Sequence, residues 1–267
     1  MERFYHNLAV RETMPDFAQL VESGTMILDI GSGSLQATVY DKSDFIFSQN
    51  MVLGSLRIYD LLSDLQNRTI HYEDVLEEYI AQDLDDYHAV EPKGIVYKNL
   101  IAFGGELGYI KLLAGKDPNR KCTIDKGEFL NVYEYLLNTR PSDLSLNDRI
   151  PTNIAPLLLP AALIIKNMLE YTGVDKIYFP HASLSEGIVY SYCCKMAGYK
   201  PTVNPDDDLV RAARNVAKRY KTDKKHIEFV EKAALEIFDS SRKLSGLNER
   251  DRLLLRLCNP INTITKS

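Results

Sequence analysis

The stretch "TMILDIGSGSLQATVY", Thr25 to Tyr40, decides the fold. Two apolar runs of strand length flank a loop of small residues, Gly31, Ser32, Gly33 and Ser34. The runs read as strands, Met26 to Ile30 and Leu35 to Tyr40, closed by a hairpin. One carboxylate, Asp29, interrupts the first run just before the loop. Glycine allows positive φ and a close approach of backbone to a ligand. Successive loop N–H groups then make a concavity for phosphate oxygens, and serine hydroxyls add donors. Asp29 alone would repel phosphate, so its position makes sense if it holds Mg²⁺ against that phosphate. A plain hairpin turn rich in Gly and Ser accounts for the loop equally well. The loop is neither a Walker sequence, which needs GK[ST] and a following helix, nor a GxGxxG turn.

Downstream, "DKSD" turns into a third strand, Phe45 to Val52, and completes an antiparallel meander. "GSLRIYDLLSDL" reads as a helix with Ser55 as N-cap and Leu56, Tyr59, Leu62 and Leu65 at helical spacing. "HYEDVLEEYIAQDLDDY" reads as a second helix. "KNLIAFGGELGYI" gives a strand, Leu100 to Phe103, a Gly104-Gly105 turn, and a helix whose N-terminus suits an anion or a nucleotide edge. Residues 116–149 read as an insertion carrying one helix, Lys126 to Leu137, between segments rich in turn formers. "NIAPLLLPAALIIKNMLEYTG" is the most apolar helix, with Gly173 as its C-terminal cap. "DKIYFP" is a last strand, and "SLSEGIVYSYCCKMAGY" a helix starting at Ser185. Three glycine or small-residue turns at strand ends of one domain point to a single crevice.

From about Pro205 the chain becomes basic and amphipathic, with three helices in a row. Arg211, Arg214, Lys218, Arg219, Lys221, Lys224 and Lys225 form its charge cluster, either a solvated face or a path for a polyanion read by charge. The end, "CNPINTITKS", reads as a polar tail. Over its 267 residues the chain carries a net charge of −5, which argues against a nucleic-acid partner. No apolar run approaches the roughly 20 residues that span a bilayer, and the start lacks the apolar core of a secretory signal. Four cysteines without a CxxC pair indicate neither a disulfide framework nor a zinc site, so a reducing cytoplasm is the expectation.

The "DIGSGS" hairpin, "LGSLR" after the third strand, "FGGELGYI" and "HASLSEGIVY" together resemble the exopolyphosphatase/guanosine pentaphosphate phosphatase (Ppx/GppA) family. The resemblance covers about residues 20 to 257. That family's loop runs DIGGGS, with Ser32 here at the third position of the glycine run. Its Gly-Gly or Gly-Thr pair matches Gly104 and Gly105, and its LREG segment appears as Leu184, Ser185, Glu186 and Gly187, without the arginine. "AARNVAKRYKTDKKHIEFVEKAALEIFD" is similar to the start of the family's helical third domain.

The resemblance implies an α/β fold of the RNase H-like, actin-like ATPase kind with a mixed sheet, followed by an all-helical unit. The implied division is 1–24 as a remnant of a preceding lobe, 25–203 as the phosphate-binding lobe, and 204–267 as a clipped helical domain. It implies Mg²⁺-assisted hydrolysis of terminal phosphate from polyphosphate or guanosine pentaphosphate, and a homodimer in the intact family protein. The site residues so implied are Asp29 for the metal, and Gly31, Ser32, Gly33, Ser34, Gly104, Gly105 and Arg57 for phosphate. No catalytic residue is fixed; Glu186, at the family's glutamate position, is the first suspect for the base's role, and His181 is a further histidine near the third turn. The family's first lobe, with its glutamate, has no counterpart before Asp29. The chain therefore reads as a middle piece, expected to bind phosphate but to turn over weakly. Two other readings stay open: a non-catalytic polyphosphate- or nucleotide-binding remnant, and a kinase or ATPase of the same superfold.

Overall fold

The computed structural model describes residues 2–66, 72–198, 206, 209–211, 213–214, 217 and 222–262. The expected division at 203 and the basic residues Lys218, Arg219 and Lys221 lie outside them. Six strands form one mixed sheet in the order β3-β2-β1-β4-β6-β5. The first three, β1 (Gly24–Ile30), β2 (Leu35–Asp41) and β3 (Asp44–Met51), are the antiparallel meander read from the sequence. The next two, β4 (Tyr97–Phe103) and β6 (Lys176–Phe179), run parallel to β1 and to each other, and β5 (Cys122–Asp125) closes the far edge antiparallel to β6.

The run in β1 is nearly continuous in apolar residues because both faces of the sheet are covered. Met26, Leu28 and Ile30 enter the larger core, shared with α3 (Ser55–Gln66), α4 (Tyr72–Val90), α5 (Leu107–Leu113), α6 (Lys126–Leu137), α7 (Pro141–Asn147) and α8 (Ala155–Thr172). Ile27 joins a smaller core on the opposite face, with Ile101, Phe103, Val10, Met14 and Phe17. That face is covered by α1 (Glu2–Thr13), α2 (Phe17–Leu20) and α9 (Leu184–Met196). Alternation along the strand puts Asp29 on the same side as Ile27. Helix α8 is apolar over Ala155–Ile165, where most residues are buried, and Gly173 ends it in the left-handed region at φ +66°, as read from the sequence.

Residues 116–149 are not an appended insertion. Within them β5 extends the sheet, and α6 packs Phe129, Val132 and Leu136 into the main core. A four-residue edge strand carries too little alternation to be read, and its Asp125 belongs equally to the capping box of α6 with Glu128. Ser55 is not an N-cap either: it is the first residue of α3, fully buried, and its hydroxyl donates to Glu106 Oε1 at 2.8 Å.

A buried carboxylate ties three elements of the large core. Glu91, just past α4, accepts from Tyr87 of α4 at 2.7 Å and from the hydroxyls of Tyr97 and Tyr171, at the ends of β4 and α8. Beside it His88 stacks on Tyr171 with ring centroids 3.5 Å apart.

The helical unit contains α10 (Lys224–Ser245) and α11 (Glu249–Asn262), turned back at Gly246 with φ +68°. Arg252 grips Asp239 with two bonds of 2.8 Å, and Arg242 reaches Glu249 at 2.7 Å. The expected tail from Cys258 is helical as far as Asn262, with a buried Pro260 in the last turn. Proline so near a helix end removes one hydrogen bond rather than breaking a ladder. On α10 His226 is exposed, and Ile227 takes the buried position.

Candidate functional site

The hairpin loop is closed by its own backbone, Gly31 N–H donating to Ser34 O at 3.0 Å. It is also locked to the start of α3. Ser55 N–H donates to Gly31 O at 3.3 Å, and Arg57 N–H to Ser32 O at 3.0 Å. The first-turn amides of α3, which lack intrahelical partners, are thus satisfied by loop carbonyls. In a trans peptide the C=O and the following N–H point in opposite directions. With the Gly31 and Ser32 carbonyls turned toward α3, the N–H groups of Ser32 and Gly33 are turned away from it, and both residues are exposed. This geometry requires glycine at 54, where a Cβ would lie 2.3 Å from Ser32 O and 2.4 Å from Ser34 N.

Gly104 joins the same assembly, because a Cβ there would lie 2.2 Å from Ile30 O at the end of β1. Two residues on, the buried Glu106 holds the Ser55 hydroxyl. The β1–β2 loop, the start of α3 and the β4–α5 turn therefore meet. Next to them a cavity of about 360 Å³ opens at the C-terminal ends of β4 and β6, lined among others by Phe103, Gly105, Lys111, His181 and Ala182. Lys111 is buried and donates to Pro118 O at 2.8 Å; burial lowers its pKa, against the opposing pull of Cys122 and Asp117.

Asp29 is mostly buried, with 13% of its side chain exposed, and its Oδ2 lies 3.3 Å from His6 Nδ1. His6 comes from α1 and packs edge-on against Phe103 at 5.9 Å. Sequence reasoning missed His6 because nothing in "YHNLAV" sets it apart from a helix-face histidine. Gly187 carried a signal that could have found it. A Cβ at Gly187 would fall 1.9 Å from Tyr5 O, so α1 and α9 cross backbone to backbone, which seats His6 against Asp29. Among the described residues no three His, Cys, Asp or Glu side chains cluster as a metal cage. Asp29 still fits Mg²⁺ in the usual protein mode, where one or two carboxylates hold an ion that keeps waters and takes phosphate oxygens.

Three expected residues sit differently. The Glu186 carboxylate caps α9, accepting from Ser183 N–H at 2.8 Å and Ser183 Oγ at 3.0 Å. His181 Nε2 stands 4.0 Å from its other oxygen. Arg57 touches the loop through its backbone only; its exposed guanidinium acts on Asp83 of α4, whose pKa burial raises and Arg57 partly restores. In the basic run Arg211 pairs with Asp44 at 3.2 Å and Arg214 with the buried Glu231 at 2.6 Å, so these two arginines are committed to carboxylates.

A mixed six-stranded sheet with this order, covered by helices and carrying its loop at the β1–β2 hairpin, is the actin-like ATPase fold. Solved Ppx/GppA structures share it. The Aquifex aeolicus member of that family is 16% identical, with a TM-score of 0.60 over 74% of this chain and 63% of its own. An exopolyphosphatase from Cytophaga hutchinsonii is 16% identical, with a TM-score of 0.55 over 76% of this chain and 65% of its own. An exopolyphosphatase-like protein is 14% identical, with a TM-score of 0.59 over 72% and 64%. The chain thus spans less than two thirds of the structures it matches. No protein-family profile matches the sequence, and no curated protein does. Among the described residues no helix is long and apolar enough to cross a membrane.

Proposed function

We propose that this chain is the phosphate-binding lobe of a phosphoric anhydride hydrolase of the exopolyphosphatase/guanosine pentaphosphate phosphatase type. One observation carries the reading: α3 takes the carbonyls of the Gly31–Ser34 loop, which turns the Ser32 and Gly33 amides outward beside a carboxylate. Outward amides at a glycine turn are an anion site. The fold's solved relatives include Ppx/GppA family members and an exopolyphosphatase, which supports, as the anion, a terminal phosphate of polyphosphate or of guanosine pentaphosphate.

In this reading the Ser32 and Gly33 N–H groups hold the phosphoryl oxygens, and Asp29 holds a divalent cation, expected to be Mg²⁺. A bound cation would neutralise charge developing on the phosphoryl oxygens. The crevice between the loop and the Gly104-Gly105 turn positions the ligand. The two carboxylates that could deprotonate the attacking water are both engaged in hydrogen bonds. Glu106 is held by Ser55 and Glu186 by the cap of α9, and general base help is typically worth ~10²–10⁴-fold. Slow turnover by the chain alone follows, and a purely binding role is the second reading that those two engaged carboxylates favour.

Titration calorimetry with short-chain polyphosphate, with and without Mg²⁺, tests the binding. Wild type should bind more tightly with Mg²⁺, and Asp29→Asn should lose that gain. Equal binding by wild type and variant in Mg²⁺ would remove the metal role of Asp29. Phosphate release from polyphosphate and guanosine pentaphosphate separates the two readings, since only an enzyme shows Asp29-dependent release above background.

A further inference from the structure

We infer that Glu106 is a positioning residue for the phosphate loop, acting through Ser55. The inference rests on the proposal that the Ser32 and Gly33 amides hold phosphate. Serine and glutamate at a helix start ordinarily cap that helix with their side chains. Neither does so here. Glu106, just ahead of α5, makes no side-chain cap bond. The hydroxyl of Ser55, the first residue of α3, leaves its own helix and donates to Glu106 Oε1 at 2.8 Å. Glu106 is 6% exposed and Ser55 is fully buried. Among the described residues this is the one hydrogen bond that the carboxylate accepts. A charge buried with one partner lowers stability, and such departures from good core chemistry gather at functional sites.

What Ser55 holds in turn is the first peptide of the loop. Its N–H donates to Gly31 O at 3.3 Å, and the Arg57 N–H to Ser32 O at 3.0 Å. The Gly31 carbonyl and the Ser32 N–H share one rigid peptide plane, as do the Ser32 carbonyl and the Gly33 N–H. Each plane abuts a glycine, whose φ and ψ are the least restricted of any residue. The loop's own closing bond uses the Gly31 N–H and the Ser34 carbonyl, and neither lies in those planes. A plane that turned over would hide its amide and offer phosphate a carbonyl oxygen. The start of α3 supplies the restraint, and Glu106 sets where that start lies. It fixes the Ser55 side chain while the backbone of the same residue takes the Gly31 carbonyl. Two hydrogen bonds thus connect a buried carboxylate to the peptide whose amide faces the ligand.

The test uses the full chain, titrated with short-chain polyphosphate by calorimetry, beside thermal unfolding of each variant. Glu106→Leu removes the acceptor and Ser55→Ala the donor, and each should weaken binding roughly tenfold, the scale of one lost hydrogen bond. The double variant should lose no more than either single one, because both break the same link. Glu106→Gln, whose amide oxygen still accepts from Ser55, should bind within about twofold of wild type. A carboxylate that only props the core would lower the melting temperature in the Gln and Leu variants and leave their affinity below the transition unchanged. Unchanged affinity in Glu106→Leu and Ser55→Ala, or losses that add in the double variant, would overturn the inference and leave the phosphate reading standing. No binding by wild type would overturn both. Should either variant fail to fold, Ser55→Cys decides, since it keeps the shape and offers only a weak S–H donor. It should bind several-fold more weakly than wild type, and equal affinity would overturn the inference.

Discussion

Gly54 is the residue on which the loop geometry turns. An added methyl at 2.3–2.4 Å from backbone atoms of Ser32 and Ser34 has no flexible neighbour to displace, so the loop itself must move. Gly54→Ala should cost about 1–3 kcal/mol, the usual range for overpacking. It should also weaken polyphosphate binding, and urea denaturation beside calorimetry would show both. His88 makes a different claim. Its Nδ1 is buried without a hydrogen-bond partner among the described residues, and burial lowers its pKa, against the raising influence of Glu91 and Asp85. The folded pKa is below the unfolded one, so the unfolded chain binds the extra proton first, and stability declines as pH falls through about 6.5. Melting temperatures between neutral and mildly acidic pH should drop for wild type, and less steeply for His88→Phe, which keeps the stack on Tyr171. Asp29 and the Gly31–Ser34 loop were legible in the sequence because their chemistry is local and unusual for a strand end. His6 and the Glu91 cluster were not, because each acquires meaning from a partner on another element. Glu186 stays ambiguous for the opposite reason, since a first-turn glutamate after a serine serves a capping box as readily as a reaction.

The meander, the apolar α8 and the Gly173 cap were legible as elements, each fixed by its own periodicity or cap chemistry. The β5 strand was not, being too short to alternate, and neither was the end of α11, where Pro260 suggested a stop that burial overrides. The crossing of α1 and α9 is the contact most open to a single change. Gly187→Val should push the two helices apart, since its side chain would meet Tyr5 backbone rather than a movable side chain. Hydrogen exchange in α1 should then accelerate while α8, in the other core, keeps its protection. Equal protection of α1 in wild type and variant would contradict the close approach. By contrast Glu91→Ala strikes the large core. It strips three tyrosine hydroxyls of their acceptor, each such loss typically costing ~1–3 kcal/mol, so the whole cooperative transition should shift in urea.

At the scale of the molecule, one sheet separates two cores of unequal size, and the candidate site lies with the smaller. Asp29, proposed to hold the cation, stands on that side, where it meets the helix that carries His6. The pairing of α1 with α9 also sets an order of events during synthesis. The first of these helices leaves the ribosome long before the second, and at about 5–20 residues per second the interval from Tyr5 to Gly187 is roughly ten seconds or more. Through that interval the backbone at Tyr5 has no α9 to cross. The helix that supplies one side of the site is thus made well before the helix it docks against, a non-local closure of the kind that slows folding.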